Sequence, residues 1–184
     1  MPYSKIKQGW LALPENADEP MIADAVIKPF LEKLGFQTNE ILEQCPTGLG
    51  SDVVDVAARK STPDNNFWST KTNPTIVVEL KRRDRNIAPG KPEYRKVVGQ
   101  LKRYLNKDAE NCHQVQWGII CNAEHIQLFR KHGRVVIPYT ENLKITEKNI
   151  DSIFKLFKIS LVPIILSEKF LEKTIFCSTS CTNS

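Results

Sequence analysis

Glu79 and Lys81 stand two residues apart in the run TIVVELK. The run is rich in β-branched residues and predicts a strand over Thr75–Lys81. Residues two apart on a strand leave the same face. A carboxylate and an ammonium therefore lie side by side at the end of an apolar strand. Ile76, Val78 and Leu80 point the other way, into a core. Asp55 sits on the preceding predicted strand, Val53–Ala58, and antiparallel pairing of the two strands would bring it beside Glu79.

Two hard carboxylates, with the backbone carbonyl of Leu80 between Glu79 and Lys81, are a donor set for Mg²⁺ (Mn²⁺ can substitute), water filling the other positions. Such a metal lowers the pKa of a bound water and screens phosphate charge. Lys81 would orient the attacking water and offset the negative charge of the transition state. Together these are the requirements of phosphodiester hydrolysis. The tripeptide alone is common, and by itself it reads more readily as an exposed salt-bridging pair on an edge strand. Its setting favours the chemical reading: an apolar strand, an upstream strand carrying an acid, and a basic helix downstream.

The elements that must hold these residues can be read on either side. A helix is expected over 18–34, with Asp18 or Glu19 as cap, Pro20 in its first turn, a kink at Pro29 and a stop at Gly35. A short strand near Phe36–Ile41 and the turn CPTGLGS lead into Val53–Ala58. STPDNNFWSTKTNP reads as a polar hairpin loop and RRDRNIAPGK as a basic one. Pro92 opens a helix to about Asn106, with Val97, Leu101, Tyr104 and Leu105 on its inner side. Strands follow near Val115–Cys121, Ile126–Arg130 and Arg134–Pro138, then helices at 147–158 and 167–173 and a polar end. The expected architecture is α/β, a mixed sheet rather than a doubly wound parallel one. One domain over 1–142 would be followed by a helical extension over 143–184.

The chain of 184 residues is long enough to bury a core without disulfides. No stretch is long and apolar enough to span a bilayer, and the start lacks a secretory signal, so the cytoplasm is the expected compartment. The five cysteines are expected as free thiols, without the paired spacing of a zinc site. Charge is unevenly distributed. Arg59 to Lys107 holds 13 Lys or Arg against 4 Asp or Glu, whereas Met1 to Gln44 holds 4 against 7. A basic middle points to a polyanionic partner, here DNA. Arg82, Arg83, Lys96 and Arg103 are the candidates for phosphate contact.

Asp55…Glu79-Leu80-Lys81 resembles the PD-(D/E)xK motif of restriction-endonuclease-like nucleases. Gln100 and Tyr104, in QLKRY, resemble the Q-x-x-x-Y motif of the nuclease domain of type I restriction enzyme R subunits and their RecB-like relatives. DEPMIADAVIKPFLEKLGF is similar to that family's N-terminal helix, and WGIICNAEHIQLFRKHG to its closing strand pair. The likeness covers roughly Ala17 to Tyr139. Val54 stands where the family has Pro, and Cys121-Asn122-Ala123 where it often has Thr-Asn-Gly.

The resemblance implies a restriction-endonuclease-like core with helices on both faces of the sheet, and Mg²⁺-dependent cleavage of DNA. It makes Asp55, Glu79, Lys81, Gln100 and Tyr104 catalytic, with Glu19 joining Asp55, Glu79 and the Leu80 carbonyl around the metal. Asp52 is a rival for the role of Asp55, and Asp55 is preferred because the apolar run continues after it as in the family. In type I enzymes the domain is joined to a translocating ATPase. No phosphate-binding G-x-x-x-x-G-K-[ST] loop occurs here, so a translocase or other domains of a restriction complex are expected as partners or as parts of a longer chain. Homodimers are also in keeping with this fold. Two other readings remain open: a catalytically silent DNA-binding module of the same fold, and a metal-dependent hydrolase of another substrate.

Overall fold

A computed structural model describes residues 3–161. It is an α/β structure whose mixed seven-stranded sheet is flanked by helices on both faces. The strands are β1 (Ile41–Pro46), β2 (Val53–Ala58), β3 (Ile76–Leu80), β4 (Trp117–Cys121), β5 (His125–His132), β6 (Val135–Pro138) and β7 (Leu143–Lys144). They run in sequence order across the sheet, and β7 pairs with the start of β5. Every pairing is antiparallel except β3 with β4. That parallel pair needs a crossover, which helix α5 (Pro92–Tyr104) supplies.

Both faces of the central strands are buried. Ile76, Val78 and Leu80 enter one core, as their alternation requires, together with Trp117, Ile119, Ile126 and Leu128. Helices α1 (Ser4–Ala12), α2 (Glu19–Ile22) and α3 (Lys28–Lys33) cover this face, along with α6, helical over 150–161. Val77, Ile120 and Phe129 enter the second core beneath Val97, Leu101, Tyr104 and Leu105 of α5. Gly118 is what lets α5 lie close, because a Cβ there would run into the Leu101 side chain.

The helix expected over 18–34 is present in three parts. Asp18 caps it, accepting the Met21 N–H at 3.0 Å. Pro29 has no N–H to give to the Ala25 carbonyl, and the chain ahead of it widens into a π-helical turn, Ala23–Ile27. Helix α1, which the sequence reading missed, packs on this turn. A side chain on Gly9 would collide with the Ala25 carbonyl oxygen, so the contact needs glycine.

Several expected boundaries move. The strand placed at Phe36–Ile41 begins where it was expected to end, at Ile41. Before it, Thr38–Glu40 is a 3₁₀ turn in which Glu40 accepts the Gln37 N–H at 2.8 Å, a local bond that competes with extension. The polar loop between β2 and β3 contains one helical turn, α4 (Phe67–Thr70), because Phe67 is fully buried. The helix expected at 147–158 starts at 150, and that expected at 167–173 lies outside the described residues. Residues 143–161 are joined to the rest through β7 and through Ile150, Phe154 and Phe157 of α6, which share the first core. Among the described residues, no helix is long and apolar enough to cross a membrane. Cys45, Cys112 and Cys121 are free and buried.

The β1–β2 hairpin is bent. Leu42 and Ala57 face the second core, and so do Cys45 and Val54, although three residues separate the members of each strand's pair. Regular alternation would put residues three apart on opposite faces. Both strands therefore break their pleat at the same level, where Gln44 adopts φ 47° opposite Asp55. Beyond the bend the hairpin tip curls over the second core. Thr47 accepts the Asn111 N–H at 2.9 Å and Asp52 pairs with Arg103 at 3.1 Å, tying the tip to the chain at and after the end of α5.

Candidate active site

Glu79 is the last inward residue of β3 on the α5 side and is only 2% exposed. Lys81 follows the strand's end and reaches back, its Nζ 2.6 Å from Glu79 Oε1. The second carboxylate oxygen, Oε2, is buried with no hydrogen-bond partner among the described residues. An ionised oxygen left so costs several kcal/mol unless something positive or a proton reaches it.

Asp55 arrives from the bend. The β2–β3 ladder pairs Val56 with Val78 and goes no further toward the site. Just past that point Asp55 Oδ2 accepts the Leu80 N–H at 2.6 Å, taking the place of a ladder bond. Its Oδ1 accepts from the Gln44 side-chain amide at 3.3 Å. The corner thus turns one strand away while its carboxylate stays pinned to the other.

These groups hold one another in an unusual state. Burial, and then the charge of Asp55, raise Glu79 from its ordinary 4.5 to about 7, against the pull of Lys81. Burial also raises Asp55, opposed by the Leu80 amide and by Lys81 and aided by Glu19. The Tyr104 hydroxyl is pushed well up by burial and by the carboxylates of Glu79, Asp55 and Asp52, so it stays protonated beside Glu79. Gln100 lies one turn earlier on α5, half-buried.

A divalent cation suits this set. A buried carboxylate and a half-buried one, both raised, the first by burial and the charge of the second, are what a cation would relieve. Among the described residues no cluster of three or more His, Cys, Asp or Glu forms a ready cage. Glu79 and Asp55 would be the direct side-chain donors to such an ion, the pattern in which magnesium keeps much of its water. The third expected acid, Glu19, opens on the other side of Asp55. It shares with Asp55, Glu43, Gln44 and Leu80 a cavity of about 120 Å³, and its Oε1 accepts the Arg82 N–H at 3.1 Å. Gln44 and Glu43 were missed by the sequence reading. Only the geometry of the bend brings them here, and nothing in the local sequence signals it.

The expected phosphate contacts divide. Arg82 is exposed and pairs with Asp84 at 2.9 Å, and Lys96 is exposed with Glu93 at 2.9 Å. Arg103 is exposed and holds Asp52, which takes that rival acid out of the Asp55 position. Arg83 is placed differently from the other three. Its guanidinium bonds Glu124 at 2.7 Å and the Leu13 carbonyl at 2.6 Å, and it stacks over Trp10. With the side chain only 15% exposed, it braces the scaffold. Trp10 itself donates to the Ala123 carbonyl at 2.6 Å.

No family model matches the chain, and no curated protein or solved structure is similar to it.

Proposed function

We propose that the chain is a magnesium-dependent nuclease that hydrolyses DNA phosphodiester bonds, of the restriction-endonuclease-like kind and akin to the nuclease domain of type I restriction R subunits. The observation that carries the reading is the buried, unpartnered Oε2 of Glu79, set between a second raised carboxylate and a lysine. Burying this carboxylate beside a second one carries a cost that a bound cation would offset, and strongly shifted acids of this kind concentrate at functional sites.

Asp55 and Glu79 would hold the metal, with the Leu80 carbonyl as the backbone donor between them. When bound, the ion would supply a water of lowered pKa and a counter-charge for the phosphate. The chain's own residues do the rest. Lys81, 2.6 Å from Glu79, would orient the attacking water and meet charge growing on the phosphate. Tyr104 remains a neutral donor beside Glu79. Gln100, one turn away, would touch the substrate, and the exposed Arg82, Lys96 and Arg103 would contact its backbone in exchange for their present carboxylate partners.

The test is cleavage of plasmid and of linear single strands with Mg²⁺ or Mn²⁺, comparing wild type, Lys81→Ala and EDTA. Cutting by wild type alone, lost in both controls, supports the reading. A second reading is a silent DNA-binding module, in keeping with a centre whose two raised acids are already tied to Lys81 and to the Leu80 amide. Salt-sensitive DNA binding without any cleavage would select it.

A further inference from the structure

At the end of β3 opposite Glu79, a cavity of about 740 Å³ opens along the sheet's edge. It lies where β2 and β5 end and where β3 and β4 begin. Arg59, Lys60, Arg130, Lys131, His113 and His132 line it, amid amide and hydroxyl side chains, and no Asp or Glu does. An adjoining cavity of about 320 Å³ shares His113 and Lys131 and adds Lys107 and Arg134. Arg59 and Lys60 are anchored by Asn65 and Glu40. Arg130 stacks on Trp117, and Lys131 donates to the His113 carbonyl at 3.2 Å. Among the described residues, Arg130, Lys131 and Arg134 have no carboxylate partner. A donor-rich, acid-free cleft with uncompensated cations is chemistry for an oxyanion.

Helix α5 connects this cleft to the proposed catalytic end. Arg95, Lys96, Lys102 and Arg103 repeat at seven-residue spacing on its solvent face, and Lys107 continues the row. Glu93, Asp52 and Asp108 pair with three of these cations, so the row is only partly neutralised. Gly99 lies between the two halves of the row with open space above it, so nothing interrupts the surface. From Arg95 to Arg103 the helical part of the row spans roughly 12 Å at about 1.5 Å per residue, and Lys107 extends it past the end of the helix. The helical part alone matches about three to four base pairs of duplex rise.

We propose that the α5 row and this cleft form a second backbone-binding region, which grips nucleic acid several nucleotides away from the bond to be cut. The inference rests on the nuclease reading of the Glu79 end. Its ligand is the repeated phosphodiester, since a single free phosphate would leave the row unused.

The test is binding by fluorescence anisotropy in EDTA, across a salt series, to duplexes of about 10 and about 30 base pairs. Wild type is compared with the triple variant Lys107→Glu, Lys131→Glu, Arg134→Glu. Affinity for the long duplex should fall at least about tenfold at 0.1 M salt, and its salt slope by about three units, near 0.9 per lost phosphate contact. Short-duplex affinity, and cleavage with Mg²⁺, should stay within about twofold. If thermal melting shows the triple variant misfolded, the milder Lys107→Gln, Arg134→Gln pair, both exposed, carries the same comparison. Equal loss on both lengths, or no loss on the long one, overturns the proposal. So does displacement of the long duplex by inorganic phosphate at constant ionic strength, which would mark a free-anion site. A protein that never cuts but loses long-duplex binding keeps this region and sinks the nuclease reading. One that cuts with long-duplex affinity unchanged in the variant does the reverse.

Discussion

Glu79→Gln should make the metal-free protein more stable at neutral pH while abolishing cleavage. Raising a buried carboxylate from 4.5 to about 7 means that the folded state holds its proton where the unfolded chain has lost it. The sign follows: below pH 4.5 both states are protonated and no penalty exists. Between 4.5 and about 7 stability falls as pH rises, and above about 7 the penalty is complete. At about 1.4 kcal/mol per pKa unit, the full penalty is on the order of 3 kcal/mol. The pull of Lys81 is already contained in that shift, so glutamine removes the penalty and gives up only the neutral hydrogen bonding of a protonated Glu79, about 0.5–1.5 kcal/mol. A net gain of about 2 kcal/mol at pH 8 remains, or roughly 4–8 °C in Tm.

Thermal melts in EDTA at several pH values from 4.5 to 8 read this directly. The difference in stability between variant and wild type should be near zero or negative at pH 4.5 and should climb to its plateau just above pH 7. Added magnesium should stabilise wild type and leave the variant unmoved. A pH-independent difference, or a variant less stable than wild type at pH 8, would refute the idea that the site is held in electrostatic tension.

Other outcomes follow from the same geometry. Lys81→Met should lower cleavage by about 10²–10³-fold with DNA affinity little changed, read by single-turnover kinetics. Metal affinity, measured by calorimetry, should fall about tenfold per pH unit below about 7, where Glu79 must first lose its proton, and level off above. Arg83→Ala breaks the bonds to Glu124 and Leu13 and the stack on Trp10, so it should cost about 2–3 kcal/mol in denaturant melts. It should leave the salt slope of DNA binding intact, because the guanidinium is already committed to Glu124 and Leu13.

The parts of this arrangement that depend on short-range periodicity were legible in the sequence. Alternation alone places Glu79 and Lys81 at the end of β3 with Val78 and Leu80 turned away, and Pro92 with the spacing of Val97, Leu101 and Tyr104 defines α5 and its buried side. The site's surroundings were less legible, because they depend on chain segments far apart in sequence. Arg83 looked like one of several loop cations until Trp10 and Glu124 closed on it from 73 and 41 residues away. Helix α1 buries only Ile6 and Trp10, too few positions for an apolar stripe to stand out, and Gly9 sits close on the Ala25 backbone. β1 was placed early because a buried glutamate, Glu40, held the chain in a turn.

The bend at Gln44 and Asp55 explains how one acid can serve the site without weakening the sheet. A flat β2 would carry Asp55 into the ladder opposite Glu79, two like charges face to face on a buried surface, which is a destabilising cross-strand pair. With the pleat broken there, the strands separate after Val56 and Asp55 answers the Leu80 N–H that the ladder would have left open. The same break sends the hairpin tip across α5, where Asp52 takes Arg103 and Thr47 takes the Asn111 amide. The tip thus clamps the end of the helix that carries Tyr104, and so fixes the tyrosine over Glu79. Straightening the corner would therefore disturb both acids and the tyrosine together. A substitution at Gln44 that resists positive φ, such as Gln44→Val, should lower cleavage and stability in parallel, whereas Gln44→Gly should spare stability.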